Sequence, residues 1–259
     1  MMPALRLPFR KGYLYSYRQL FSKEEGDALS YFYVMVESAK YGTNSTLHVY
    51  MLQNGDHIWR THLTLALDYL IAALSSPKSV LVDNKVYIAS SRNEILVLDL
   101  MSPGFSTIQL PPGVDFNIQR TTMLSHAHDD DSSVYLIHAK DLQLHIWLYR
   151  GANWLLVDTI CLREMCAHYL QDEPTAFLKI NHVGDYTAEF LFLEMDGFAL
   201  YLDVKCRTLR KLYFITREDR YFYPIYPFTM IWPPIFPALK DAPARFASLP
   251  VHLTVLCFV

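Results

Sequence analysis

The chain has 259 residues, of which 52% are hydrophobic and 14% aromatic, and its formal net charge at pH 7 is −3. This apolar content supports a substantial core and excludes a disordered chain. Because basic residues are not in excess, binding of nucleic acid through its phosphates is disfavoured. The longest apolar stretch, residues 63–74, is too short to cross a membrane, which requires about 20 residues.

The first strand-rich segment begins near the N-terminus. β-Branched and aromatic residues, which favour strands, dominate four stretches of it. The predicted strands are residues 15–21, 29–36, 46–52 and 57–62. Because residues 13–17 and 31–36 also carry a β pattern rather than a helical one, we expect no helical module before Leu47.

The second segment gives the clearest strand pattern of the chain. Its predicted strands are residues 79–82, 85–89, 94–100 and 106–110. Asp83 and Asn84 have turn chemistry between the first two strands. Residues 95–98 are apolar at every position, which indicates a strand that is buried on both faces. An antiparallel sheet with one wet face would show alternation instead.

Two further segments repeat this plan. In the third segment, the predicted strands are residues 122–126, 134–138, 142–148 and 154–160. In the fourth segment, they are residues 177–181, 188–193, 198–203 and 209–215. Each segment is therefore expected to form one four-stranded antiparallel sheet.

The spacing of the four segments predicts the fold. Each third strand contains an apolar passage, and these passages begin at Leu47, Ile95, Leu144 and Phe198, between 48 and 54 residues apart. Such a period is typical of propeller blades, each of which is a four-stranded sheet stacked between two neighbours. We predict an all-β fold, a β-propeller that is incomplete or degenerate, with about four recognisable four-stranded blades.

Two connections between the predicted blades have a helical composition. Residues 64–75 and 162–170 contain helix formers and no internal proline or glycine. Pro77 and Pro174 follow them and would end a helix. We therefore predict short inter-blade helices at these two places.

The C-terminal region differs in composition from the predicted blades. Prolines recur between residues 223 and 237, and proline disfavours central strands because it lacks a backbone N–H. Residues 249–259 are apolar again, which predicts either a late strand or an extension that does not pack. We divide the chain into a propeller domain at residues 1–232, in which an initial blade could be missing, and a proline-rich, apolar tail at residues 233–259.

Two side-chain clusters resemble metal sites. The first contains His126, His128, Asp129, Asp130 and Asp131. Histidine and carboxylate groups bind divalent cations, but we interpret this stretch as a solvated hairpin turn because no ligands converge on it from elsewhere. The second, Cys161, Cys166 and His168, lacks the further Cys/His pair of a closed zinc site, so we interpret its cysteines as structural.

No motif of enzyme chemistry is present in the sequence. There is no glycine-rich phosphate loop, nucleophile elbow or H-E-x-x-H zinc motif. We therefore predict no catalytic residue, no metal and no cofactor. Because the four cysteines are sparse and the N-terminus has no signal-peptide core, we expect a cytoplasmic or nuclear protein that neither binds nor crosses a membrane.

Loops at one edge of the predicted sheets are the candidate binding surface. These loops join second to third strands or connect blades, and exposed loops on a rigid scaffold often carry recognition. Our candidate partner-binding residues are Arg92 and Asn93, in the second segment, and Lys140, in the third. Ordinary solvated turns would have the same composition.

Several stretches of the sequence together resemble a known family. They are residues 80–87, 95–100, 144–147, 198–212 and 223–229, with Trp154 and Val157. This pattern is similar to that of the plant F-box-associated β-propeller family. The resemblance implies a protein-interaction module, without a cofactor, that captures an unidentified target protein for a cullin-type ubiquitin ligase. It implies a Skp-type adaptor as a partner only if an F-box is present upstream of Met1.

Two alternatives remain at this stage. Because no F-box pattern and only four blades are recognised, the chain could be a truncated, non-catalytic fragment with little independent function. Some propellers are enzymes with an active site at the central channel, which is the second alternative, although no set of catalytic residues converges in this sequence.

Overall fold

The structure of the protein is a computed structural model in which most of the described residues form β-strands joined by short turns. It describes residues 13–25, 28–39, 44–53, 58–67, 79–90, 94–102, 104–116, 120–126, 133–167, 178–183, 189–215, 226–229 and 254–257. The strands form four four-stranded sheets and one two-stranded sheet. The predicted all-β class and the four four-stranded units are therefore confirmed.

The first sheet has its strands in sequence order, each antiparallel to the next. They are β1 (Tyr13–Glu25), β2 (Ala28–Ala39), β3 (Ser45–Gln53) and β4 (Arg60–Leu67). The helix predicted at residues 64–75 is wrong for its first four residues, which belong to β4. Leu63, Leu65 and Leu67 alternate with exposed residues and pack on a core, a period of two that indicates a strand. Residues 68–75 lie outside the described residues.

The second sheet matches its prediction closely. Its strands are β5 (Ser79–Val82), β6 (Lys85–Ala89), β7 (Glu94–Asp99) and β8 (Phe105–Gln109), again in sequence order. The four central residues of β7 are all buried, as their apolar run predicts. Four of the five residues of β8 are exposed, so this strand forms the outer edge of the sheet.

The third and fourth sheets repeat the same order. The third contains β9 (Thr122–His126), β10 (Val134–Lys140), β11 (Gln143–Arg150) and β12 (Asn153–Cys161). The fourth contains β13 (Leu178–Val183), β14 (Phe190–Met195), β15 (Phe198–Asp203) and β16 (Thr208–Phe214). Between them, α1 (Arg163–Cys166) is a single turn inside the helix predicted at residues 162–170, of which residues 168–170 lie outside the described residues.

Near the C-terminus, β17 (Tyr226–Thr229) pairs antiparallel with β18 (Thr254–Cys257). The late strand predicted within residues 249–259 is therefore present. β17 contains Pro227, and it lies in a sheet of only two strands, where a missing backbone N–H is tolerated. The domain boundary that we placed after residue 232 separates these two strands in sequence and stays a prediction.

The four-stranded sheets stand side by side, and we call them blades 1 to 4 in chain order. First strands of neighbouring blades touch one another: β5 contacts β9, and β9 contacts β13. Between blades 1 and 2, the hydroxyl of Tyr17 in β1 donates to Oγ of Ser79 in β5 at 2.6 Å. The first strand of each blade is thus innermost and the fourth strand lies at the rim.

Three apolar cores separate the blades. The core between blades 1 and 2 includes Leu47 and Leu96, and the core between blades 2 and 3 includes Ile95 and Leu136. A third core joins blade 3 to blade 4. Neighbouring residues of β7 therefore pack on opposite sides, Leu96 toward blade 1 and Ile95 toward blade 3. This stacking explains why the middle strands lack alternation.

Tight turns of left-handed backbone join several strands. Asp141 and Leu142 have φ angles of 52° and 60° between β10 and β11, and Asp196 and Gly197 have 46° and 79° between β14 and β15. Positive φ at both central residues is the mark of the type I′ hairpin, whose twist matches that of the flanking strands. The turns are short enough to hold the strand ends in fixed positions.

Candidate functional site

The residues predicted to contact a partner are only partly described. Arg92 and Asn93 lie outside the described residues. Lys140 is exposed at the end of β10, opposite Gln143 of β11. The structure therefore does not test whether these three side chains share one surface, and their role stays a prediction.

The two metal-like clusters are also partly described. His126 ends β9, whereas His128 and residues 129–131 lie outside the described residues. Cys161 is exposed and Cys166 is buried, both as free thiols, and His168 lies outside the described residues. Burial raises the pKa of the Cys166 thiol to about 11, so this thiol stays protonated and unreactive at neutral pH. Among the described residues, no group of three or more metal-ligand side chains exists.

A polar row crosses the interface between blades 2 and 3. Thr122, His138 and His145 lie opposite one another on β9, β10 and β11. The Thr122 hydroxyl donates to the backbone oxygen of Asp115 at 2.6 Å, so at 2.8 Å it accepts from Nδ1–H of His138. Burial is the main reason that the pKa of His138 lies below its ordinary value, which keeps the ring neutral.

The same interface opens into a groove of about 460 Å³ at its other end. This volume lies in the usual range of ligand-binding clefts, roughly 300–1,000 Å³. The groove is lined by Lys85, Tyr87, Val97, Asp99, Ser102, Gly104, Phe105, Ser106, Thr107 and Ile108 of blade 2, and by Tyr149 of blade 3. It lies where β6 begins and β7 ends, the edge of the sheets opposite to the one that carries Lys140.

One wall of the groove is the open edge of β8. The backbone groups of Glu94 and Leu100 face β6. The Ser90 N–H donates to the backbone oxygen of Glu94, and the Leu100 N–H donates to the backbone oxygen of Asn84. In an antiparallel ladder, residues alternate between the two neighbouring strands. Leu96, which lies opposite Thr107 in β8, therefore also faces β6.

This alternation leaves the backbone of β8 unpaired at every second residue. Phe105, Thr107 and Gln109 direct their N–H and C=O groups away from β7. The carbonyl of Gln109 accepts a hydrogen bond of 2.8 Å from the indole N–H of Trp154 in blade 3, which closes one end of this edge. In the described part of the chain, no strand pairs with β8 on its outer side. The edge at Phe105 and Thr107 is thus open.

Two tyrosine side chains meet in the groove. Tyr87 of β6 is only 6% exposed, and among the described residues its hydroxyl has no hydrogen-bond partner. Burial raises the pKa of Tyr87, with further contributions from nearby Tyr149 and Asp83. The ring of Tyr149 packs on Trp154, with 5.0 Å between ring centroids. Tyr87 therefore presents a protonated phenol inside the groove.

Opposite charges flank the mouth of the groove. Lys85 begins β6 and lies opposite Asp99, which ends β7. Asp99 Oδ1 accepts the backbone N–H of Met101 at 2.8 Å, and this bond is the main cause of its lowered pKa. A longer bond from Ser102 N–H, at 3.3 Å, reaches the same oxygen. The Asp99 carboxylate is thus held by its own turn, whereas Lys85 forms no ion pair within the described residues.

Sequence reasoning missed this groove. Tyr87 and Tyr149 are 62 positions apart in the sequence. Each is an aromatic residue within a β-strand pattern, which does not by itself indicate a binding site. The only local signal is the exposed, polar pattern of β8 beside an otherwise buried sheet. The groove forms because two blades diverge toward their rims, which no single stretch of sequence encodes.

The stacked four-stranded antiparallel sheets, with first strands innermost and fourth strands at the rim, define a β-propeller. Within this class, a family model described as F-box protein AT5G49610-like, beta-propeller, matches residues 1–236. The chain belongs to this family of F-box-protein propellers, as its strand pattern predicts.

Among solved structures, the chain is similar to the WD40 domain of SCAP from fission yeast, with 11% sequence identity and a TM-score of 0.34. The match covers 79% of this chain, and the chain spans 58% of that domain. None of the curated proteins compared with this chain matches it significantly. In the described part of the chain, no helix has the length and apolar character of a membrane span.

Proposed function

We propose that this chain is the target-binding propeller of a substrate receptor in a cullin-type ubiquitin ligase. Its membership of a family of F-box-protein propellers is the observation that carries the proposal. In this role the chain binds a target protein without a cofactor and without catalysis, in the cytoplasm or the nucleus. A Skp-type adaptor binds only through an F-box in the same protein.

The inter-blade groove supports a binding role. It joins a concave surface to the unpaired edge of β8, and both features suit recognition of a segment of another protein. We also propose residues 1–232 as the binding domain and residues 233–259 as a tail. We also propose Arg92, Asn93 and Lys140 as contacts with the target protein; of these, the structure describes Lys140, on the edge of the sheets opposite to the groove.

The ligase role is tested by identifying the proteins that purify with the chain and by measuring the half-lives of those proteins in cells. The natural gene product is epitope-tagged and purified from its own cells while the proteasome is inhibited, with an unrelated tagged propeller as control. We expect a Skp-type adaptor and a cullin in the purified material. We also expect at least one bound protein whose half-life lengthens when the gene is deleted. Absence of both adaptor and stabilised protein would contradict the ligase role.

The alternative of a fragment with little independent function makes a different prediction. Its strand edges would be exposed to association, and its unfolding would be weakly cooperative. Denaturant titration at two protein concentrations tests this alternative. A monomer that unfolds in one cooperative transition at both concentrations contradicts it. Concentration-dependent aggregation without a transition supports it.

A further inference from the structure

Three side chains of the groove between blades 2 and 3 carry hydrogen-bond donors that have no acceptor among the described residues. Lys85 brings an ammonium group, which only donates, and it forms no ion pair within the described residues. Tyr87, which is more than nine-tenths buried, brings a phenol without a hydrogen-bond partner there. Tyr149 brings a second phenol with no partner among the described residues. A ligand that suits these donors carries an acceptor, and a carboxylate is the strongest acceptor that a protein partner offers.

The anionic side chain nearest to these donors does not fill this role. Asp99 directs Oδ1 to the backbone N–H groups of Met101 and Ser102, which hold the carboxylate in its own turn. Asp99 also lies at the mouth of the groove and is only half-buried, whereas Tyr87 is buried inside it. The acceptor for the Tyr87 hydroxyl therefore comes from solvent or from a ligand, since this hydroxyl is not among the fully buried atoms without a hydrogen-bond partner.

The backbone of β8 defines the shape of that ligand. Thr107 shares a sheet face with Leu96, which packs toward blade 1, so Thr107 lines the groove with its backbone rather than its side chain. Its outward N–H and C=O groups are those that an added strand would pair with. Trp154 closes the edge at Gln109, so the open stretch accommodates a short segment only.

We propose that this groove binds a short extended peptide segment of a partner protein, which pairs with β8 at Thr107 and places an acidic side chain near Lys85 and the two tyrosines. This inference rests on the proposed function of the chain as a protein-interaction domain. It adds the binding site, the backbone conformation of the bound segment and the charge of its anchoring side chain. The paired stretch forms a fifth strand at the rim of blade 2, about 14 Å from β6 at three strand spacings, so the acidic residue lies next to this stretch, where the segment turns into the groove.

The test uses the full chain and a displayed library of random seven-residue peptides. Enriched sequences are synthesised with a fluorescent label, and their affinity is measured by fluorescence polarisation. We expect an Asp or Glu at one fixed position, flanked by β-forming residues. Replacing that acid by Asn or Gln should weaken binding about tenfold, as expected for loss of a hydrogen bond to a charged group.

Three variants of the chain locate the binding site. Lys85→Gln and Tyr87→Phe should each weaken binding of the acidic peptide by about tenfold or less, because each removes one donor. Thr107→Pro should weaken binding by at least about tenfold, because it removes an outward N–H while leaving the β7–β8 ladder intact. Lys205→Gln is the matched control and should leave affinity unchanged, because Lys205 is an exposed lysine in the turn between β15 and β16 of blade 4, outside the groove. Each variant must keep the thermal unfolding midpoint of the parent chain.

Several outcomes overturn the proposal. They are enrichment of peptides without an acidic residue, binding that is unaffected by Lys85→Gln and Thr107→Pro, and binding that is lost in Lys205→Gln. A dimer of the chain that dissociates in Thr107→Pro also overturns it, since a second copy would then occupy the edge. A library that yields no binder counts against the groove as well.

Failure of this inference is distinguishable from failure of the proposed function. If the parent chain, Lys85→Gln and Thr107→Pro all capture a target protein and support its degradation equally, the receptor role stands and the proposal that the groove binds the target is wrong. If acidic peptides bind the groove but no adaptor or stabilised protein is found in cells, the groove stands and the ligase role is wrong.

Discussion

The guanidinium Nη2 of Arg207 lies 2.8 and 2.6 Å from the two carboxylate oxygens of Asp158. Arg207 belongs to the turn between β15 and β16 in blade 4, and Asp158 belongs to β12 in blade 3. Their ion pair therefore joins the rims of two successive blades. At the rim between blades 2 and 3, Trp154 makes the comparable link to Gln109. Polar contacts thus supplement the apolar cores where the sheets meet solvent.

A double-mutant cycle measures the Arg207–Asp158 contact. Arg207→Ala and Asp158→Ala should show a coupling free energy of about 0.5–1 kcal/mol, because an ion pair this exposed is well screened by solvent. Arg207 has a φ of 54°, which alanine must also adopt, so backbone strain cancels in the cycle. The coupling, obtained from urea denaturation, should shrink in about 1 M NaCl. A coupling near zero at low salt would mean that the rim contact contributes nothing.

Buried residues of the core between blades 2 and 3 should contribute far more to stability than exposed residues of the same blades. Leu136 in β10 is 0% exposed, and Leu136→Ala should lower the free energy of unfolding by about 2–5 kcal/mol through lost burial and a cavity. Leu156 in β12 is 48% exposed, and Leu156→Ala should change the free energy of unfolding by no more than about 0.5 kcal/mol. Equal losses from the two substitutions, measured by denaturant titration, would show that these blades do not pack as described.

Burial of His138 makes stability depend on pH. Its pKa in the folded protein lies below the ordinary value of 6.5, mainly because of desolvation, with nearby His145 and Lys140 acting in the same direction and Asp115 opposing them. Between the two pKa values the unfolded chain binds more protons, so folding stability is complete above the ordinary pKa and falls as pH drops below it. Unfolding curves between about pH 5 and 8 should show this loss.

The variant His138→Asn isolates this effect. The asparagine amide can donate to the Thr122 hydroxyl in place of Nδ1–H, but it does not titrate. The difference in stability between the parent chain and this variant should therefore change with pH in the acidic range and level off above about pH 7.5. A constant difference over the whole range would assign the pH dependence to other groups.

The turn between β11 and β12 offers a stabilising substitution. Ala152 is exposed with a φ of 68°, a left-handed conformation that disfavours residues with a Cβ. Ala152→Gly should raise the free energy of unfolding by about 0.5–1 kcal/mol. Ala66→Gly is the control, because Ala66 is an exposed residue within β4 and glycine there should destabilise by a similar amount. Thermal unfolding of both variants shows whether each substitution stabilises or destabilises the fold. Destabilisation by Ala152→Gly would be inconsistent with this turn geometry.

Individual strands could be predicted where composition and burial agree. β6 and β7 have β-branched apolar runs and lie between two cores, so local preference and packing favour the same structure. β4 could not be predicted fully, because Leu63 to Leu67 has both helix-forming composition and a period of two. Packing of alternate leucines on the first core decides in favour of the strand, since propensity differences are small compared with burial.

The candidate site depended far more on tertiary structure. Local sequence predicted Lys140 in a loop after the strand at residues 134–138, whereas the structure shows it exposed as the last residue of β10. It did not predict that Tyr87 and Tyr149 line one groove, because they come from different blades. Nor did it predict that the backbone of Thr107 faces outward, since this follows from the hydrogen-bond register of β7 with both of its neighbours.

The amino-acid sequence by itself determined the all-β class, the four repeating sheets and the order of strands in each, because strand periodicity and turn chemistry act over a few neighbouring residues. Only the tertiary structure decided which strand edge stays open and which side chains from separate blades meet. Those features depend on how sheets stack and diverge from the centre to the rim, and such packing joins residues that are far apart along the chain.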